Sequence, residues 1–242
     1  TYTATVYDNN NCSQSATITV NNNYIISVST IAQTNISCYG GADGALTVQV
    51  NGGVQPYSYS INGITFQSSG TFTGLSAGTY IVVGRDGKGC TETVNVTITQ
   101  PNQLTVIIDS VQNVLCNGDS TGAIFITPSG GTPGYSYLWS NGTTNEDNLG
   151  LKAGINNVTI TDSNGCVSSA GASVTEPLPL FVSVAIYNDL LCYSDSSGAI
   201  DITVNGGVPQ YSYAWSNGTL TEDLAELQMG SYTVTVNDAN GC

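Results

Sequence analysis

The chain has 242 residues and a formal net charge of −14, from three Lys and Arg against 17 Asp and Glu, with no His. So few cations exclude nucleic-acid binding, which needs clustered Lys and Arg, and the missing His removes the commonest metal ligand and proton shuttle. A hydrophobic share of 40% can still build cores, and no run approaches the ~18 apolar residues of a membrane span.

In chain order, residues 1–23 read as a strand, an Asp8-led turn and a second strand, the closing hairpin of a preceding repeat. Residues 24–100 hold the alternating run Ala45–Val50, then Tyr57-Ser-Tyr59-Ser-Ile61 and Leu75-Ser-Ala-Gly78-Thr-Tyr80. For residues 101–176 about seven strands are predicted: Leu104–Asp109, Asn113–Cys116, Gly122–Thr127, Tyr135–Trp139, Asn148–Leu151, Asn157–Thr161 and Cys166–Val174. Residues 177–242 repeat the pattern through Ala199–Val204 and Tyr232–Val236 but lack a final strand. Pro101 and Pro177 mark the boundaries, because proline cannot donate to a strand ladder. Thr, Val, Ile and Tyr fill the runs, Gly, Pro, Asn and Asp separate them, and no segment sustains a helical period. The chain is expected to begin inside a repeat and to continue past Cys242, since a sandwich without an edge strand leaves backbone unpaired.

The seven cysteines, at 12, 38, 90, 116, 166, 192 and 242, are separated by 26, 52, 26, 50, 26 and 50 residues. This alternation is an internal repeat of 78 and then 76 residues. Gly52-Gly53, Gly130-Gly131 and Gly206-Gly207 recur in step. The fold class is therefore all-β, a tandem array of immunoglobulin-like (PKD- or fibronectin-like) sandwiches of about 76 residues, each with one disulfide. The expected pairs are Cys38–Cys90, Cys116–Cys166 and Cys192–Cys242, with Cys12 unpaired in this stretch and its partner upstream. Two thiols and no His cannot complete a zinc site, so disulfides and an extracytoplasmic location are expected.

The aromatics Tyr57 and Tyr59, Tyr135, Tyr137 and Trp139, and Tyr211, Tyr213 and Trp215 lie at alternating positions, on one strand face. They could stack on sugar rings or fill the core. Ile61 in the Trp position favours the core, because Ile cannot stack on a pyranose. Leu75 to Tyr80 and Leu227 to Tyr232 resemble a tyrosine corner, which the middle repeat lacks at Asn156.

Asp86, Asp162 and Asp238, with Asp8, each stand four residues before a Cys, and Glu146-Asp147 and Glu222-Asp223 add paired acids. Calcium at Asp86, Asp162 and Asp238 is the only cofactor this chemistry suggests, although Asp before a Gly- or Asn-rich turn is also a good hairpin signal. No catalysis is expected: Ser and Thr have no base, and the first repeat has Ser68-Ser69-Gly70 where a glycosidase reading needs acids.

Taken together, Gly-Gly-x-x-x-Tyr-x-Tyr-x-Trp-x-Asn-Gly, Leu-x-x-Gly-x-Tyr, Asp-x-Asn-Gly-Cys and Thr-x-x-Pro resemble the SprB-type repeat of large Bacteroidota surface adhesins, including the gliding-motility adhesin. The resemblance implies export by the type IX secretion system and display at the cell surface as long filaments. It implies a structural shaft segment whose partners are neighbouring repeats of the same chain, with filament bundling and contact with polysaccharide or an abiotic surface. A polysaccharide-binding module and a spacer in a large secreted enzyme are the alternatives.

Overall fold

The structure, a computed structural model, describes residues 1–20, 25–190 and 195–242. Cys192, assigned above to a pair with Cys242, lies outside the described residues, as does the boundary at residue 23. All regular structure among the described residues is β, so no helix is long and apolar enough to cross a membrane. The chain divides into two compact units, Thr1–Asn102 and Gln103–Cys242.

The first unit opens with an antiparallel hairpin, β1 (Tyr2–Tyr7) and β2 (Ser13–Ile18), exposed along its whole length. It continues with β3 (Ile26–Thr34), β4 (Gly44–Gly52), β5 (Ser58–Ser60), β6 (Thr71–Leu75), β7 (Gly78–Arg85) and β8 (Thr91–Ile98). These form two antiparallel three-stranded sheets, in the orders β3-β4-β6 and β5-β7-β8. The period-2 pattern read in β4 sets which way its residues face. Leu46, Val48 and Val50 point inward and meet Val82, Val96 and Ile98 from the other sheet. Between them Thr47 faces outward and exchanges a hydroxyl hydrogen bond with Thr71 across the strand pair. Alternate burial of this kind fixes the register, because a one-residue slip would turn the whole apolar set to solvent.

The second unit holds two such sandwiches in sequence. The first comprises β9 (Thr105–Gln112), β10 (Gly122–Ser129), β11 (Ser136–Trp139), β12 (Asn148–Leu151), β13 (Gly154–Thr161) and β14 (Val167–Val174). Its sheets run β12-β10-β9 and β11-β13-β14, around Ile124, Trp139, Val158, Ile160 and Val174. The second comprises β15 (Phe181–Asn188), β16 (Gly198–Asn205), β17 (Ser212–Trp215), β18 (Leu224–Leu227) and β19 (Val234–Asn237), in sheets β15-β16-β18 and β17-β19. Where Val174 of β14 plugs the preceding repeat against Gly122, this one has a groove of about 650 Å³ lined by Val184, Tyr187, Leu190, Leu227, Met229 and Tyr232.

A complete repeat thus has six strands, not seven. The segment Asn113–Cys116, predicted as a strand, is a connection. Val114 N–H donates to the Thr175 carbonyl at 2.9 Å and Leu115 N–H to Thr121 Oγ1 at 2.8 Å. Cys116 then opens a turn, its carbonyl accepting from Asp119 N–H at 3.1 Å while Gly118 adopts φ +84°. The apolar side chains are still spent on burial, Val114 being 4% exposed, but the Asn-Gly that follows bends the backbone away from any ladder.

Candidate functional site: the closing turn and the joint between repeats

Each repeat closes its second sheet with the same turn, built on one aspartate. Asp162 Oδ1 accepts from the N–H groups of Asn164 and Cys166, both at 2.9 Å, and Oδ2 accepts from Thr132 N–H at 2.8 Å. Asp86 takes Lys88 N–H and Cys90 N–H at 2.9 and 2.8 Å, and Val54 N–H at 3.0 Å. Asp238 takes Asn240 N–H and Cys242 N–H at 2.9 and 3.0 Å, and Val208 N–H at 2.8 Å. In the opening hairpin Asp8 likewise accepts from Asn10 and Cys12 N–H, both at 2.9 Å.

Three N–H donors aimed at one carboxylate favour its charged form. The Thr132 N–H is the main reason the Asp162 carboxyl lies below its ordinary range, and the Val208 N–H does the same for Asp238; burial opposes both. At Asp86 burial is the largest single influence and pushes upward, but the N–H groups of Val54, Cys90 and Lys88 together reverse it. These carboxylates are therefore structural keys that tie the closing turn to the chain just after each Gly-Gly pair. The calcium role considered for Asp86, Asp162 and Asp238 does not match this use, since backbone donors already face both oxygens of each. Among the described residues no three acidic or cysteine side chains converge as a metal site would require.

The aromatic strands serve the core. Trp139 and Trp215 are 2% and 6% exposed, and each indole N–H donates at 3.0 Å to a carbonyl six residues on, of Asn145 and Thr221. In the first repeat Tyr59, 7% exposed, is the buried aromatic, and Ile61 packs beside it. The leading tyrosines hold the Gly-Gly corner instead. Tyr57, Tyr135 and Tyr211 donate their hydroxyls to the carbonyls of Gly52, Gly130 and Gly206, at 2.8, 2.7 and 2.7 Å. Tyr137 and Tyr213 are half-buried; desolvation, then the charges of Glu146 and Glu222, raise their hydroxyls above the ordinary value. The motif aromatics are thus divided between the core and the Gly-Gly corner.

The paired acids also have a backbone task. Asp147 Oδ1 accepts from Ile126 N–H at 3.2 Å and Asp223 Oδ1 from Ile202 N–H at 3.0 Å. In the first repeat the equivalent donor, Val48 N–H, meets the Gly70 carbonyl at 2.9 Å. A main-chain oxygen there replaces the carboxylate, which explains why Ser68-Ser69-Gly70 needs no acid. The tyrosine corners form as read: Tyr80 donates to the Ser76 carbonyl at 2.8 Å and Tyr232 to the Gln228 carbonyl at 3.0 Å. In the middle repeat Asn156 makes only a local bond, to the Gly154 carbonyl at 3.2 Å.

The cysteines differ most from expectation. Cys116 is bonded to Cys242, 126 residues away, with the two Cα atoms 5.6 Å apart. This bridge runs between consecutive repeats, from the opening turn after β9 to the closing turn after β19. It overturns both the Cys116–Cys166 and the Cys192–Cys242 pairs. Cys90, the expected partner of Cys38, carries a free, exposed thiol, as does Cys12. The physical reason lies in the fold: the opening turn and the closing turn of one repeat are held by separate elements, and the Cys116–Cys242 bridge joins an opening turn to the closing turn of the next repeat. Two cysteines per repeat fit pairing within a repeat and pairing to the next equally well, so spacing alone did not discriminate.

Around the bridge the joint is built from groups the sequence did not advertise. Asn240 Nδ2 donates to the Leu115 carbonyl at 2.8 Å, beside the disulfide. The chain leaving the middle repeat is tied to the same opening turn: Gly118 N–H donates to Glu176 Oε2 at 2.6 Å, and Asn117 Nδ2 to the Pro177 carbonyl at 3.0 Å. In the first unit Gln100 plays the part of Glu176, its Oε1 accepting from Gly40 N–H at 2.8 Å. The Gln-Pro and Glu-Pro signals therefore mark where the linker is fastened.

Paired antiparallel sheets in series, with a covalent tie between neighbours, define a tandem array of immunoglobulin-like repeats. The chain carries three SprB repeats, matched at residues 30–66, 108–144 and 184–220. No curated protein matches it. Among solved structures it is similar to the three N-terminal domains of the bacteriophage RB49 highly immunogenic outer capsid protein. That match has 16% identity over 83% of this chain and 80% of that one, with a TM-score of 0.42. It is also similar to a 1.5-MDa bacterial ice-binding adhesin, at 18% identity over 90% and 85% of the two chains and a TM-score of 0.36.

Proposed function

We propose that this chain is a segment of the shaft of a long extracellular adhesin filament, in which repeats supply length and toughness and perform no chemistry. The observation that carries the reading is the Cys116–Cys242 bridge between consecutive repeats, seated beside the Asn240–Leu115 hydrogen bond. A covalent link placed at a joint resists bending and separation there, which a shaft needs and a catalytic or small-ligand module does not. The low share of charged side chains and the core use of the motif aromatics agree with it. On this reading the chain lies outside the cell of a Bacteroidota-type bacterium, exported by the type IX system, in surroundings oxidising enough for the bridge to persist. Residues 1–23 then close one repeat, 24–100 and 101–176 are whole repeats, and 177–242 supplies most of another.

Single-molecule stretching tests this. Reduction should release extra extension of roughly 430 Å, the bridged separation of 126 residues at ~3.4 Å each. Equal unfolding lengths with and without reductant would sink the proposal.

A further inference from the structure

We infer that the groove beside β19 in the last repeat is an acceptor for a closing strand, and that the strand it takes is Ser13–Val20 of a second copy of this chain. The inference goes beyond the shaft reading, because it concerns how one copy follows another.

The acceptor is defined by what fills the same place in the complete repeats. There the residue eight positions after the closing-turn cysteine packs over the first glycine of β4 or β10. A Cβ on Gly44 would lie 2.8 Å from Ile98 Cγ2, and one on Gly122 would lie 2.7 Å from Val174 Cγ1. Gly198 is the matching glycine of β16. Its nearest neighbours are the Leu227 carbonyl oxygen, Leu227 Cβ and Leu190 Cδ2, and it lines the groove together with Leu227, Met229 and Tyr232. The ladder is short at the same spot. The first four residues of β7 and of β13 pair with β8 and β14 alone. Strand β19 starts four residues later in the repeat, at Val234, and among the described residues pairs only with β17. Residues 230–233 thus lack the ladder that a closing strand supplies.

The donor is β2 with the two residues after it. Counted from Cys12, Ala16, Ile18 and Val20 stand where Val94, Val96 and Ile98 follow Cys90, and where Ala170, Ala172 and Val174 follow Cys166. Those six pack into the cores of their repeats, whereas Ile18 and Val20 are 67% and 70% exposed. The register agrees as well. Tyr2 opposite Ile18 and Tyr7 opposite Ser13 in the hairpin match Tyr80 opposite Val96 and Arg85 opposite Thr91. Carried onto β19, this register sets Ser13 opposite Asn237, Ile18 opposite Tyr232 and Val20 opposite Gly230, which brings Val20 over Gly198.

The edge of β2 that meets β19 is the one bonded to β1, so the strand is exchanged from its own hairpin. An isolated two-stranded hairpin is marginally stable in water. Exchange trades its ladder for an equivalent one on β19 and buries Ile18 and Val20, as in other strand-addition complexes. Ser13–Val20 carries no charged side chain, so the acidity of the chain does not oppose its entry. The donor strand lies before the first whole repeat of one copy and the acceptor in the last repeat of the next. Such a head-to-tail contact extends as an open series unless it closes into a ring.

The test is sedimentation of the 242-residue chain over a concentration series, with the free thiols alkylated and hydrogen exchange read at residues 230–237. Mass should rise in whole multiples of one chain, and exchange at 230–237 should slow in the assembled fraction. The double variant Ile18→Asp, Val20→Asp alters only exposed positions. It should stay at single-chain mass yet shorten wild-type assemblies when mixed with them, because its groove accepts a strand while it donates none. A synthetic Ser13–Val20 peptide should slow exchange at 230–237 of that variant. A wild-type chain that stays single at every concentration would overturn the inference, whether 230–237 exchanges fast or is covered by its own strand. So would assembly undiminished in the double variant. Neither result touches the shaft reading, which stands or falls on the extension released by reduction.

Discussion

Asp162 Oδ2 and the N–H of Thr132, 30 residues apart in sequence, are 2.8 Å apart in space. The contact explains two recurrent motifs at once. For the carboxylate to reach this N–H, the preceding residue can have no side chain: a Cβ on Gly131 would lie 2.6 Å from Asp162 Oδ2, and its φ of +59° favours glycine in any case. The same clash recurs at Gly53 with Asp86 and at Gly207 with Asp238, both at 2.7 Å.

Gly131→Ala should therefore cost more than its backbone conformation alone. The left-handed conformation accounts for about 1–2 kcal/mol. Gly142, at φ +87° with nothing within 4 Å of its added Cβ, is the control. Chemical denaturation of Gly131→Ala and Gly142→Ala should rank the first as clearly less stable; equal losses would show that the carboxylate imposes no steric demand.

Acid should weaken the repeats through the same three aspartates. Their folded carboxyls lie below the ordinary value of 3.8, so the unfolded chain binds protons first as pH falls. The stabilisation is fully present above the unfolded value and is lost as pH drops through the depressed folded values. Melting temperatures should be flat from pH 7 to about 5 as far as these groups are concerned, then decline below about 4. Asp162→Asn should start lower and flatten part of that decline.

Tyr80→Phe and Tyr232→Phe each remove one hydroxyl bond to a carbonyl four residues back. Each should lose about 0.5–1.5 kcal/mol, the usual net value of such a bond. Removal of an aromatic is more damaging: Trp139→Ala should cost about 3–5 kcal/mol by leaving a cavity in the core. Because Trp139 is buried, its loss should show in unfolding curves, with glycan-array binding per folded molecule unchanged.

Cutting the bridge has its own signature. On the chain-entropy model, closing a 126-residue loop stabilises the folded state by about 5 kcal/mol. Cys242→Ser should lower the denaturation midpoint of the Gln103–Cys242 unit accordingly. An unchanged midpoint under non-reducing conditions would mean that the bridge does not stabilise the unit.

The all-β architecture and the repeat were legible because both are written in local patterns. Alternation of Leu46, Val48 and Val50 has one consistent outcome, and the motif cysteines recur with the sheets. The tyrosine corners were legible as local pairs four residues apart. The roles of Asp86, Asp162 and Asp238 were only half visible: the turn is local, but the third acceptor bond reaches about 30 residues back to the Gly-Gly corner. The segment Asn113–Cys116 misled because burying Val114 requires no strand. The disulfide partner was not legible at all. Which sulfur meets Cys116 depends on how one folded repeat presents its closing turn to another, and no pattern inside a single repeat encodes that.

The offset of the Cys116–Cys242 bond also bears on survival among extracellular proteases. A single peptide bond cut anywhere between residues 117 and 241 leaves both fragments attached through the sulfurs. A chain with such a tie can be nicked between its two cysteines without being severed, and comes apart there only after a second, separately placed cut or after reduction.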